Sequence, residues 1–251
     1  IYGENGQFAI ANTIIHDHEK AGWMTFAQMI QKSSNIGAAK VGMALGEWRV
    51  FDYLKEFGFG DKSGIDLPGE TAGLLRGPRQ WGKRSLASIS MGQEVGVTPL
   101  QMVTAISAIA NGGVLMKPYV VSEIRNGKGQ LVAQNMPQAK RRVISADTAR
   151  TLTTLLEGVV THGTGGKAAI PGFRVAGKTG TAQKVDPRTG KYSSTLLVGS
   201  FLGYVPAEDP RLAMIVVIDE PRGEGWGGVV AAPVFRRVGE QVLNYLGVAV
   251  D

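Results

Sequence analysis

The 251 residues predict an α+β fold, in which an antiparallel sheet flanked by helices stands beside a mostly helical subdomain. Three observations carry that reading. Apolar residues recur at helical spacing in several segments of the first two-thirds of the chain. Three strand-like runs then follow one another through turn-rich links, an order that gives adjacent strands with helices packed against them. An amphipathic segment closes the chain.

Each element can be justified in order. In "WMTFAQMIQK", Phe26, Met29 and Ile30 share a helical face and Thr25 has the chemistry of an N-cap. "SSN" interrupts, and "IGAAKVGMAL" and "EWRVFDYLKEFG" resume helical spacing, with Gly58 as terminator. Residues 59–84 are rich in Gly and Pro and predict an ordered loop. Thr98 and Pro99 then open a helix whose stripe of Leu100, Val103, Ile106, Ile109 and Ala110 runs to Asn111-Gly112-Gly113. "KPYVVSEIRNGKGQLVAQ" alternates around Asn126-Gly127 and predicts a hairpin. Ser145 caps a helix over 145–162, with Leu152, Leu155, Leu156 and Val159 turned inward. The strand-like runs are "FRVAGKTGTAQK", "STLLVGSFLGYV" and "RLAMIVVIDE", and "APVFRRVGEQVLNYL" is the closing helix. The chain thus divides into a mainly helical part, 1–165, and a sheet-forming part, 166–251.

Composition narrows the function classes. No apolar run approaches the roughly 18 residues of a spanning helix, and "IYGENGQFAI" lacks both Met and the layout of a signal peptide. A membrane anchor is therefore expected outside these residues. The absence of cysteine excludes disulfides and thiolate metal sites and suits an oxidising compartment. The net charge of +6 is scattered, and its main cluster, Lys140-Arg141-Arg142, predicts an exposed loop face and no nucleic-acid contact. His16 and His18 have a possible metal spacing but no third ligand type nearby, so "HDHEK" reads as an exposed polar turn, with neither metal nor cofactor expected.

The stretch "GFRVAGKTGTAQK" at 172–184 fits two motifs. From Gly172 it matches a nucleotide-phosphate loop ending in Gly177, Lys178 and Thr179. Such a loop must open directly into a helix whose N-terminal amides bind the phosphates. Here Gly180, Pro187 and Gly190 follow within a few residues, which is strand and hairpin chemistry. From Lys178 the same stretch is K-T-G, a motif of acyl-transferring enzymes, on a predicted strand. Gly180 permits close approach of a ligand or another backbone, and an edge strand here would bind an extended peptide by strand addition.

Ser33-Ser34-Asn35 supplies the S-x-N that accompanies such a strand, although a Ser-rich helix cap is its plainer reading. "SMGQEVGVTPLQMVTAISAIANGG" at 90–113 and "GWGGVVAAPVFRRVGEQVLNYL" at 225–246 complete a resemblance over nearly the whole chain. The chain resembles the transpeptidase domain of the class B penicillin-binding proteins, whose fold is shared with class A β-lactamases. The resemblance implies a peptidoglycan D-Ala-D-Ala transpeptidase that cross-links stem peptides through an acyl-serine and is trapped by β-lactams. It implies that Ser33 relays a proton, and that Asn35 bonds a catalytic lysine and the substrate amide. By the same resemblance Lys178 supplies positive potential for the substrate carboxylate, Thr179 and Thr181 bond that carboxylate, and the Thr181 N–H lends itself to an oxyanion hole. Ser34 is the variable residue with a structural part. Implied partners are stem peptides, β-lactams and other cell-wall synthesis proteins of division or elongation. The implied location is the extracytoplasmic face of the cytoplasmic membrane.

One departure from the family pattern is serious, because the family's attacking serine lies in S-x-x-K and no S-x-x-K occurs in the 251 residues. Thr164…Lys167 and Thr181…Lys184 imitate it, but neither heads an amphipathic helix. The expectation is a domain incomplete at its N-terminus and inactive alone. The alternative is a non-catalytic peptide- or β-lactam-binding module of the same fold.

Overall fold

The computed structural model describes residues 1–249. The chain opens with a hairpin absent from the sequence prediction, β1 (Gln7–Ile10) against β2 (Thr13–His16), and Ile15 packs there with Ile36, Ala39 and Ala87. α1 (Phe26–Lys32) begins at Thr25 with a full capping box, the side chains of Thr25 and Gln28 each bonding the other's amide. α2 (Asn35–Leu45) and α3 (Glu47–Glu56) follow, and Gly58 just past α3 has the positive φ of +94° expected of a terminator.

The 59–84 loop contains a single 3₁₀ turn, Pro78–Gln80, and is fastened from within. The Gln101 Nε2 donates to the carbonyls of Asp61 and Ala72, at 2.9 Å each. α4 (Ser85–Ser90) has no counterpart in the sequence prediction, since six residues without a side-chain cap carry too little pattern. It packs on α2, where a Cβ on Gly42 would lie 1.8 Å from the Ser90 Oγ. α5 (Pro99–Ala110) carries a second capping box, between Thr98 and Gln101, with Pro99 in the first turn.

Two small antiparallel pairs follow, β3 (Val114–Met116) with β6 (Ala139–Arg142) and β4 (Glu123–Arg125) with β5 (Leu131–Gln134). The second is the expected hairpin with a longer loop. The Asn126 N–H bonds the Gln130 carbonyl and positive φ falls on Gly129, not Gly127. Lys140-Arg141-Arg142 departs from expectation, because it forms β6 instead of a loop face. Its charged ends are consumed locally: Arg141 bonds the carbonyls of Lys55 and Glu56, Lys140 that of Ser63, and Arg142 that of Gly112.

α6 (Ala146–His162) is capped by Ser145 as expected. β7 (Ala176–Val185), β8 (Tyr192–Val205) and β9 (Leu212–Asp219) form one antiparallel sheet in that spatial order, leaving β7 at an edge. α7 (Gly227–Val230) and α8 (Ala232–Tyr245) close the fold. Side chains alternate across β8 with the strand's period of two. Phe201 and Val205 pack against Phe235 and Leu243 of α8, whereas Leu202 and Tyr204 face Ile106 of α5 and Leu156 of α6. The sheet is therefore buried on both faces, as the class predicts.

Phe235 is fully buried and meets the Phe201 ring at 4.7 Å, while Val132 on the projecting hairpin is 63% exposed. Phe235→Ala is expected to lower the unfolding free energy in urea by about 3–5 kcal/mol, and Val132→Ala by about 0.5 kcal/mol or less. Equal losses would contradict this placement of the core.

Candidate active site

Ser33 follows the last residue of α1, and its backbone is left-handed, with φ 57° and ψ 47°. For a residue bearing a Cβ this conformation costs about 1 kcal/mol and is held only when its surroundings insist. Those surroundings begin with Ser34, the N-cap of α2, whose Oγ accepts the Gly37 N–H at 2.9 Å. Ser34 Oγ in turn donates to Asp17 Oδ2 at 2.5 Å, and the Ile36 N–H donates to Asp17 Oδ1 at 3.0 Å. The plain cap reading holds for Ser34, which leaves Ser33 and Asn35 on either side of the cap.

The K-T-G residues lie within β7, so no helix follows Lys178 and the phosphate-loop pattern is coincidental. α6 connects this strand to the S-x-N turn. Gly158 lets α1 approach α6, since a Cβ there would lie 2.5 Å from Gln31 Nε2. The Thr164 N–H, just past α6, bonds the Gln31 carbonyl, and the Thr164 hydroxyl meets the Thr179 hydroxyl at 2.7 Å. Across this packing Lys178 Nζ donates to Ser33 Oγ at 2.6 Å, joining residues 145 apart in sequence. Its second partner is the Thr179 carbonyl, at 3.0 Å.

The other expected residues flank this contact. Thr181 Oγ1 accepts the Gly227 N–H at 3.1 Å. Gly180 serves the close approach of other protein groups: a Cβ on it would lie 2.5 Å from Ser200 Oγ, and one on Gly227 would lie 2.3 Å from the Gly180 carbonyl oxygen. Asn35 donates through Nδ2 to the His16 carbonyl at 3.0 Å. Asn35, Thr181, His16 and Trp226 share a cleft of about 1190 Å³. Thr179 is turned to Thr164 instead, so the two threonines occupy different surroundings. Sequence reasoning assigned no site role to Asp17, Trp226 or Gly227, and Thr164 entered only as an imitation of the attacking serine. The only signals for them were a polar triplet after "NTII" and the glycines of "GWGG".

No acidic side chain pairs with Lys178 among the described residues' ion pairs. Burial, which disfavours the charged form, lowers its ammonium from 10.5 to about 8. The group therefore stays mostly protonated at neutral pH. Between about 8 and 10.5 the unfolded chain binds the proton that the folded chain has released, so stability rises with pH across that window. The unfolding free energy of the unmodified chain is expected to gain on that of Lys178→Met from pH 8 to pH 10.5. A constant difference in urea titrations would contradict the burial of this lysine.

Comparison with known proteins agrees with this architecture. The sequence profile of the family "Penicillin binding protein transpeptidase domain" matches residues 4–240. Stage V sporulation protein D of Bacillus subtilis is 43% identical over 229 residues, covering 90% of this chain and 35% of that protein. The peptidoglycan D,D-transpeptidase FtsI of Escherichia coli is 33% identical over 253 residues, covering 97% of this chain and 41% of that protein. The chain thus spans well under half the length of either. Penicillin-binding protein 3 of Mycobacterium tuberculosis, solved in complex with aztreonam, superposes with a TM-score of 0.90 at 33% identity, over 98% of this chain and 57% of that one. The transpeptidase domain of Burkholderia pseudomallei penicillin-binding protein 3 gives 0.88 at 35% identity, over 100% of this chain and 73% of that one. With the family profile spanning nearly all of its residues, the chain belongs to the penicillin-binding protein transpeptidase domains.

Proposed function

We propose that this chain forms the substrate-binding side of a serine-type D-Ala-D-Ala transpeptidase of class B. In that reaction a serine hydroxyl attacks the penultimate D-Ala carbonyl, the terminal D-Ala leaves, and an amine of a neighbouring stem peptide takes the acyl group. The observation that supports the reading most is the Lys178–Ser33 hydrogen bond at 2.6 Å. Because the ammonium donates to Ser33 Oγ, the serine's own proton remains available to another acceptor, as a relay requires. A lysine that is mostly protonated at neutral pH is suited to a substrate carboxylate. Asn35 and Thr181 line the same cleft and would hold the peptide's amide and carboxylate, with the edge position of β7 supporting strand addition. Thr179 could join them by donating its hydroxyl proton while accepting from Thr164. β-Lactams, which imitate D-Ala-D-Ala, would occupy the same groups.

The attacking serine and its lysine would come from a segment outside these 251 residues, which contain no S-x-x-K, and the chain alone would be inactive. The working site would lie at the extracytoplasmic face of the membrane, where stem peptides are found, beside other cell-wall synthesis proteins.

Fluorescent penicillin separates the possibilities. The chain alone is expected to form no denaturation-resistant adduct. Fused behind a transpeptidase segment bearing Ser-x-x-Lys, it is expected to form one, with Lys178→Met slowing acylation by about 100-fold or more. An adduct on the chain alone would overturn the missing nucleophile. A folded fusion without an adduct would overturn the transpeptidase reading in favour of a non-catalytic binding module.

A further inference from the structure

The turn at the end of β2 belongs to neither motif but contacts the S-x-N turn and Trp226. Asp17 divides its carboxylate between two groups of the S-x-N turn: Oδ2 accepts from Ser34 Oγ at 2.5 Å and Oδ1 from the Ile36 N–H at 3.0 Å. Its own N–H bonds the Gly6 carbonyl at 3.2 Å. The preceding residue, His16, accepts the Asn35 side chain on its carbonyl. The following residue, His18, lays its ring 4.7 Å from that of Trp226, whose neighbour Gly227 donates to Thr181. The turn is anchored from below, because Ile15 is buried against Ile36 and Ala39 of α2.

These contacts surround the turn that carries Ser33. Ser33 stands in a left-handed conformation, and its side-chain oxygen meets Lys178 at 2.6 Å. Its backbone is held on one side by the closure of α1, where the Ser33 N–H bonds the Ile30 carbonyl and the Ser34 N–H the Met29 carbonyl. On the other side it is held by the start of α2, which Asp17 fixes at two points of its first turn, Ser34 and Ile36. A carboxylate at this point also faces the positive end of the α2 dipole.

We propose that Asp17 is the positioning residue of this site, setting the Ser33 hydroxyl against Lys178, while its neighbours His16 and His18 hold Asn35 and the Trp226 loop in register with it. The role rests on the transpeptidase reading of Ser33 and Lys178, but the geometry has consequences that need no turnover. Removing the carboxylate frees the S-x-N turn, opens the partly exposed Lys178 further to water and releases its ammonium toward ordinary behaviour. Asp17→Asn keeps an acceptor oxygen and most of the hydrogen bonding.

The test follows Lys178 by the ¹³C shift of its Cε across a pH titration, with thermal unfolding as the control for fold. In the unmodified chain the midpoint is expected at about 8. Asp17→Ala is expected to raise it to about 9 or above, and Asp17→Asn to leave it near the unmodified value. Should Asp17→Ala fail to fold, Ser34→Ala, which removes one of the two bonds to Asp17, is expected to raise it in the same direction by a smaller amount. A folded Asp17→Ala or Ser34→Ala with an unshifted midpoint would overturn the proposal. In the fusion carrying Ser-x-x-Lys, Asp17→Ala is expected to slow penicillin acylation about 10- to 100-fold, with Asp17→Asn restoring most of the rate. Full-rate acylation by Asp17→Ala would overturn the positioning role. A Lys178 shift in a fusion that never acylates would leave that role standing and remove the transpeptidase reading.

Discussion

A partly buried lysine that forms no ion pair among the described residues must satisfy its ammonium on neutral oxygen atoms, and here Lys178 does so on Ser33 Oγ and the Thr179 carbonyl. Much of the architecture can be understood as the means of meeting that requirement. Ser33 presents its oxygen only because its backbone is left-handed, and that conformation persists only because α1 ends and α2 begins at fixed places. α1 is brought toward β7 by packing on α6, where Gly158 allows close approach. An interaction between residues 145 apart thus sets tolerances on three helices and a strand.

The sheet accounts for the rigidity of the lysine side. β8 is apolar toward α8 on one face and toward α5 and α6 on the other, so β7 is bonded along one edge to a strand with little freedom to move. Its other edge pairs with no strand among the described residues and lies beside the cleft that Asn35 and Thr181 share. The asymmetry of the two threonines adds a detail of chemistry, since Thr181 already accepts an N–H whereas Thr179 is tied to another hydroxyl.

Local chemistry made much of this legible. Thr25, Thr98 and Ser145 are caps in sequence and in structure because a hydroxyl and the amide three residues on are all that a cap needs. The three late strands and the closing helix were equally readable from their periodicity, and Lys178 and Ser33 from their motifs. Contacts made at long range were not. β1 and β2 are four residues each, and α4 is six without a side-chain cap, so none carries enough pattern to stand out. Lys140-Arg141-Arg142 reads as solvated charge until α3 and the 59–84 loop offer it carbonyls. "HDH" reads as a polar turn, and its exposed histidines fit that description, but nothing local reveals that Asp17 spans to Ser34 and Ile36.

A double-mutant cycle on Ser33 and Lys178 probes the central contact directly. Unfolding free energies of the unmodified chain, Ser33→Ala, Lys178→Met and the double variant are measured in urea at pH 7. A hydrogen bond from an ammonium at 2.6 Å predicts a coupling energy of about 1 kcal/mol. Additivity within about 0.3 kcal/mol would contradict the meeting of the two motifs on which the whole arrangement rests.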